Sequence, residues 1–203
     1  VNSNIVGGIG THIYEPLFAM DADYKPAGVL ADSYTISEDG KVYTIKLRQG
    51  VKFHNGQEMT ADDVVASMSR WLELSGKAKA LLAGTVFEKA DDYTITMTLP
   101  EAYADALTVV AASIQFPAIY PKSVIDSAGT EGITEYIGTG PYKLDEWKQD
   151  QYIHLVRYED YAQPAGESSG FTGEKLAATP DIYFRVVTDD STRVAGVQTG
   201  QYD

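Results

Sequence analysis

Ser168 lies in Gly166-Glu167-Ser168-Ser169-Gly170, a literal match to the G-x-S-x-G elbow of serine hydrolases. That chemistry needs a strand before the serine, a helix after it and, in hydrolase chain order, a histidine downstream. Gln163-Pro164-Ala165 precedes the motif and the last histidine is His154, so the string reads as a Gly- and Ser-rich loop. His12, His54 and His154 occupy separate segments with no i,i+4 pair and no metal-ligand spacing, and are read as structural or surface histidines. Asp21-x-Asp23 opens like a calcium loop, but Pro26 stands where that loop demands glycine and the distal glutamate is missing. Asp62-Asp63 and Asp91-Asp92 suit a helix N-terminus and a turn better than a pair of catalytic carboxylates. Gly138-x-Gly140 lacks the third glycine of a dinucleotide fingerprint and leads into a strand. The expectation is a binding domain with no catalytic residue, no metal ligand and no cofactor.

The elements that must carry these residues read as hairpins with helices interposed. Tyr34 and Ile36, then Val42–Leu47, flank Asp39-Gly40, a pair suited to a tight turn, and Asn55-Gly56 marks another. A helix is predicted from Thr60, with Asp63 in capping-box spacing and Val64, Val65, Met68, Trp71 and Leu72 forming its apolar face. Val86–Lys89 and Tyr93–Leu99 make a second hairpin; Ala102–Ala112 and Pro121–Ser127 read as helices. Strands Tyr142–Trp147 and Tyr152–Arg157 follow, then an exposed loop over Ala162–Thr179, a strand over Asp181–Val187 and a helix over Asp190–Thr199. The class is α/β, mixed, with largely antiparallel hairpins plus helices.

Composition narrows the partners. The chain has 203 residues and a formal charge of −13, so nucleic acid and anionic lipid surfaces are poor partners. Without cysteine there is no disulfide, thiolate or zinc ribbon. No apolar run approaches a membrane span; Leu107–Ile114 is the richest stretch and carries Thr108 and Ser113. Fourteen tyrosines suit recognition of mixed polar and apolar ligands, although strand propensity accounts for many of them. Val1 and Asp203 both fall mid-phrase, and both ends read as cut.

Several phrases in order resemble the peptide/nickel (oligopeptide/dipeptide) class of extracellular solute-binding proteins of ABC importers. They are Ile13-Tyr14-Glu15-Pro16-Leu17, Leu30-Ala31-Asp32-Ser33-Tyr34, the run from Tyr43 through Gly56 to Thr60-Ala61-Asp62-Asp63-Val64, and Gly138-Thr139-Gly140-Pro141-Tyr142, with Asp160-Tyr161, Arg193 and Gly200-Gln201-Tyr202-Asp203 after them. These are mostly scaffold residues, so the match argues fold more firmly than ligand.

The resemblance implies a periplasmic-binding-protein-like lobe with the second lobe absent. Residues 1–33 plus 136–203 would form its base and 34–135 an inserted α/β subdomain. It implies an extracytoplasmic protein that captures short peptides and delivers them to an ABC permease. The membrane enters only through an upstream lipid anchor or permease docking. A metal chelate, a glutathione-like compound or an oligosaccharide are alternative ligands, and a sensor or adhesion module without transport is an alternative role. Nickel-type relatives place a cationic side chain near the segment Ser113–Pro117, where this chain has no arginine. Position in the lobe, rather than a matched motif, nominates Asn2, Ser3, Asn4, Gln115 and Phe116 as ligand-binding residues.

Overall fold

The computed structural model describes residues 4–129 and 132–203, with side chains from residue 7 onward. The chain begins with α1 (Asn4–Ile13) and a short antiparallel pair, β1 (Phe18–Met20) with β2 (Pro26–Gly28). Asp21 sets the turn between them. Its Oδ1 accepts the N–H groups of Asp23 at 2.9 Å and Lys25 at 2.8 Å, so the calcium-like spacing closes a local turn.

β3 (Ala31–Ile36), β4 (Val42–Leu47), β5 (Val86–Asp91) and β6 (Thr94–Thr98) build a four-stranded antiparallel sheet in the order β3-β4-β6-β5. Gly40 takes φ +72° in the β3–β4 turn, a left-handed backbone that glycine adopts without a Cβ clash. Asp39 Oδ1 braces that turn by accepting from the Ser37 hydroxyl and the Lys41 N–H. Alternation sends Tyr43, Ile45 and Leu47 of β4 and Ile95 and Met97 of β6 inward.

Against this sheet lies α2 (Ala61–Leu74), which buries Val64, Met68 and Trp71. Thr60 is its N-cap in a capping box with Asp63, whose carboxylate accepts the Thr60 N–H at 2.9 Å and the Thr60 hydroxyl at 3.1 Å. Asp63 has a second role: its Oδ1 accepts the Lys122 N–H at 2.7 Å, at the start of α5 (Lys122–Ala128). One buried carboxylate thus fixes the starts of two helices.

A third sheet, β7 (Tyr142–Lys148), β8 (Tyr152–Arg157) and β9 (Asp181–Arg185), is antiparallel in that order, and α6 (Asp190–Gln198) follows it with Asp189 as N-cap. Two apolar clusters result. The larger runs from Leu17 and Phe18 through the four-stranded sheet and α2 to Ile119, and the smaller gathers Ile13, Tyr14, Tyr142 and Leu155. Among the described residues no helix is long and apolar enough to cross a membrane.

Three expectations change. The helix expected over Ala102–Ala112 is only α4 (Ala106–Ala111), entered through a turn in which the Tyr103 carbonyl accepts the Ala106 N–H at 3.1 Å. A short α3 (Gly76–Leu81) lacks a sequence signal strong enough to see, and depends on the Ser75 side chain accepting the Ala78 N–H. The segment 162–179 is irregular, but it is not simply exposed. Thr172 is buried, the Phe171 N–H donates to the Met20 carbonyl, and Arg48 Nη2 donates to the carbonyls of Ala162 and Gln163, both at 2.8 Å.

Candidate functional site

An open cavity of about 510 Å³ lies where four parts of the chain converge. Thr11, His12 and Tyr14 border it from the C-terminal end of α1; Ala111, Ser113 and Phe116 from the end of α4. Pro141 and Tyr142 enter from β7, and the strap formed by 162–179 closes the remaining side with Ser168, Phe171, Thr172, Glu174, Lys175 and Leu176. The lining is mainly apolar with a rim of hydroxyls, the composition of a small-molecule site.

Glycines let the α1 side and the β7 side touch. A Cβ on Gly138 would lie 2.1 Å from the Ile13 carbonyl oxygen, and one on Gly140 would lie 2.5 Å from the His12 carbonyl oxygen. Neither position accommodates a side chain while the two backbones stay in contact. The Gly-x-Gly spacing therefore serves close packing of backbone on backbone. His54 locks the same junction: its Nε2 lies 2.9 Å from the Gly140 carbonyl oxygen, and its Nδ1 accepts the Gly138 N–H at 3.3 Å. A carbonyl only accepts, so Nε2 carries the proton and the ring is neutral. Burial holds its pKa below the ordinary value of 6.5.

Behind the strap, Glu15 has no exposed surface. Its Oε1 accepts the Tyr161 hydroxyl at 2.7 Å and the Lys175 ammonium at 2.9 Å, and its Oε2 accepts the Thr139 hydroxyl at 3.0 Å. Those three donors come from the turn before β7, the segment after β8 and the strap. Burial, with the Glu15 charge beside it, pushes the Tyr161 hydroxyl far above the usual tyrosine range. A carboxylate this deep is stable only when paired and hydrogen-bonded, and Glu15 is both. The charge within the apolar phrase Ile13-Tyr14-Glu15-Pro16-Leu17 was the available signal for it.

The hydrolase-like Ser168 borders the cavity, but its surroundings are a bridge between Ser169 and Thr172 and tight turns at Gly166 and Gly170. Among the described residues no hydrogen bond joins Ser168 to a histidine. His12 faces the same cavity with Nδ1 bonded to the Gly8 carbonyl at 2.9 Å and its ring edge-on to Tyr142 and Phe184. His154 sits on β8 away from both, between the carboxylates of Asp145 and Asp181. Among the described residues no group of three or more His, Asp or Glu is arranged to hold a metal ion.

The residues nominated from sequence separate. Phe116 lines the cavity. Gln115 takes φ +55° and turns toward α2 and α3, its backbone carbonyl accepting Trp71 Nε1 at 2.7 Å and its side-chain Oε1 accepting the Ser75 hydroxyl at 2.8 Å. Asn2 and Ser3 lie outside the described residues, and Asn4 opens α1 with its side chain also outside them. Sequence alone does not mark Thr11, His12, Tyr142 or the strap, because no local pattern identifies a residue that reaches a site through tertiary contact.

Comparisons with known proteins agree on one family. The profile described as bacterial extracellular solute-binding proteins, family 5 Middle, matches residues 25–203. The glutathione-binding protein GsiB of Escherichia coli strain K12 is 31% identical over 205 aligned positions, covering 98% of this chain and 37% of its own. The oligopeptide-binding protein AppA from Bacillus subtilis, solved with a nonapeptide, superposes with a TM-score of 0.76 at 27% identity, over 100% of this chain and 40% of that one. NikA from Brucella suis, solved with Fe(III)-EDTA, gives a TM-score of 0.77 at 27% identity, over 97% and 38%. The chain thus spans about 37% of the length of the curated relatives it matches.

Proposed function

The chain belongs to the bacterial extracellular solute-binding proteins of family 5, and on that premise we propose that it forms one lobe of a two-lobed clamp that captures short peptides outside the cell membrane and passes them to an ABC permease. The observation that carries the reading is the open cavity of about 510 Å³, apolar with a hydroxyl rim, walled by α1, the segment after α4, the start of β7 and the strap. A cavity open on one side suits a ligand whose other face is covered by a second lobe. The relatives are binding proteins by their names, which supports binding without catalysis. Two separate apolar clusters support a base of residues 1–33 plus 136–203 carrying an inserted subdomain over 34–135, although Leu17, Phe18 and Leu30 of the first segment join the larger cluster. Phe116 belongs to this ligand wall; a contribution from Asn2, Ser3, Asn4 or Gln115 is part of the same proposal.

Calorimetry and native mass spectrometry with a defined pool of di- to pentapeptides test it, on this chain and on a natural protein that contains it. Peptide capture that Phe116→Asp abolishes in a folded variant is the expected result. Capture unchanged by Phe116→Asp removes the cavity from the site. A hydrolase screen with Ser168→Ala as control checks the non-enzymatic reading, and an activity lost in that variant overturns it. A second reading, a glutathione-like ligand, has its support in the GsiB relatives at 31% identity.

A further inference from the structure

We infer that the cavity selects ligands that insert an apolar side chain and rejects anionic ones, and that the Glu15–Lys175 pair produces the rejection by removing the wall's cation from use. The inference rests on the cavity being the ligand site. Among the described residues the wall carries two fixed charges, Glu174 and Lys175. The Lys175 ammonium lies 2.9 Å from Glu15 Oε1, with Glu15 fully buried and the lysine side chain 24% exposed. That attraction, in a region poorly screened by water, holds the ammonium on Glu15. With the pair neutral overall, Glu174 leaves the wall with a net negative charge, and the chain adds a field from its −13. An anionic group entering here meets repulsion without an available counter-charge.

The apolar side of the wall is built to be covered. Phe171 and Leu176 stand at the mouth of the cavity with 55% and 79% of their surface exposed, although both belong to a strap anchored on either side. Phe116, Tyr142 and Ile182 continue the apolar surface inward. The strap keeps its shape through contacts remote from the ligand: Phe171 N–H to the Met20 carbonyl, and Gly170 seated so close to Asp21 and Met20 that a Cβ there would come within 2.7 Å of the Met20 carbonyl oxygen. The backbone that carries Phe171 is therefore held in place beside the cavity. A buried leucine- or phenylalanine-sized side chain gains roughly ten-fold or more in affinity over glycine.

Methyl-detected NMR titration of the chain reads millimolar affinities directly, with Phe-Leu, Gly-Gly and reduced glutathione as the three probes. Phe-Leu is expected to shift methyl resonances of Leu176, Ala178 and Ile182 with at least about ten-fold higher affinity than Gly-Gly. Glutathione is expected to be the weakest, and Glu15→Gln, which leaves the Lys175 ammonium without its carboxylate, to raise glutathione affinity several-fold relative to Gly-Gly; an unchanged ranking in that variant overturns the role given to the pair. Phe171→Ser should lower Phe-Leu affinity several-fold while Gly-Gly stays as it was. Equal affinity for Phe-Leu and Gly-Gly, or tighter binding of glutathione, overturns the apolar selectivity and leaves the cavity as the site. Shifts confined to other residues for all three probes overturn both this inference and the reading on which it rests.

Discussion

His54 donates from Nε2 to the carbonyl of Gly140 at 2.9 Å and accepts the Gly138 N–H at Nδ1, so one neutral ring joins the segment before α2 to the glycines that start the third sheet. Both bonds need the Nε2–H tautomer, and a second proton on Nδ1 breaks one of them. The Tyr158 ring meets His54 edge-on at 4.9 Å and its hydroxyl donates to the Phe53 carbonyl.

That geometry predicts acid sensitivity. Burial lowers the folded-state pKa of His54 from 6.5, so below that value the unfolded chain binds the extra proton more readily than the folded one. His54 thus contributes stability that is present above about pH 6.5 and lost as pH falls toward the folded pKa. Urea midpoints between pH 7.5 and 5 should fall more steeply for the wild type than for His54→Gln. Parallel pH profiles would remove His54 from the acid response.

Asp63 should matter more than the residue it caps. Thr60→Ala loses about 1 kcal/mol of capping. Asp63→Ala leaves the Thr60 and Lys122 N–H groups without their acceptor in a partly buried place and should cost roughly 2–3 kcal/mol. Equilibrium denaturation of both variants checks the order, and a larger loss for Thr60→Ala would reverse it.

Trp71 is 8% exposed on the inner face of α2, and its Nε1 donates to Gln115. Trp71→Ala should cost about 3–5 kcal/mol through the cavity it leaves. Trp71→Phe keeps most of the packing and should lose about 1–2 kcal/mol, chiefly the bond to Gln115. A denaturation series in which the alanine variant loses less than about 1 kcal/mol would contradict the packing assignment.

Lys175→Met should free the strap and also destabilise the domain. Glu15 keeps the hydroxyls of Tyr161 and Thr139, but its buried charge loses the cation that pairs it, at a cost of about 3–5 kcal/mol. Hydrogen exchange is expected to rise most across residues 162–179 and by a smaller factor in β4 and β6. Exchange unchanged across 162–179 would mean that the pair does not hold the strap.

Ligand affinity of this chain by itself should be near millimolar or weaker. If a complete clamp binds at roughly micromolar strength, its free energy is near −8 kcal/mol, and half the contact with most of the association entropy still opposing it leaves little. Calorimetry of the chain beside a two-lobed natural protein, with the same peptide, makes the comparison. Equal affinities would assign the whole site to this lobe.

The hairpins, the start of α2 and its buried face were legible because their causes are local. Asp39-Gly40 sets a turn whichever core lies behind it, Thr60 and Asp63 find each other within one helical turn, and Val64, Met68 and Trp71 share a face through the helical repeat. Phe116 was legible only as a position in the lobe, and its neighbour Gln115 shows why position is not enough: Trp71 and Ser75, both distant in sequence, engage its carbonyl groups. The strap went further from expectation. Gly, Ser and Ala impose no period, so residues 162–179 have little conformational preference of their own. Arg48, Met20 and Glu15, each more than a hundred residues away, decide where it lies. By itself the sequence determined the hairpins, α2 and the family scaffold, since turn, cap and periodicity act over a few residues. Only the tertiary structure decided the cavity, because its wall is held by bonds between segments that no local rule brings together.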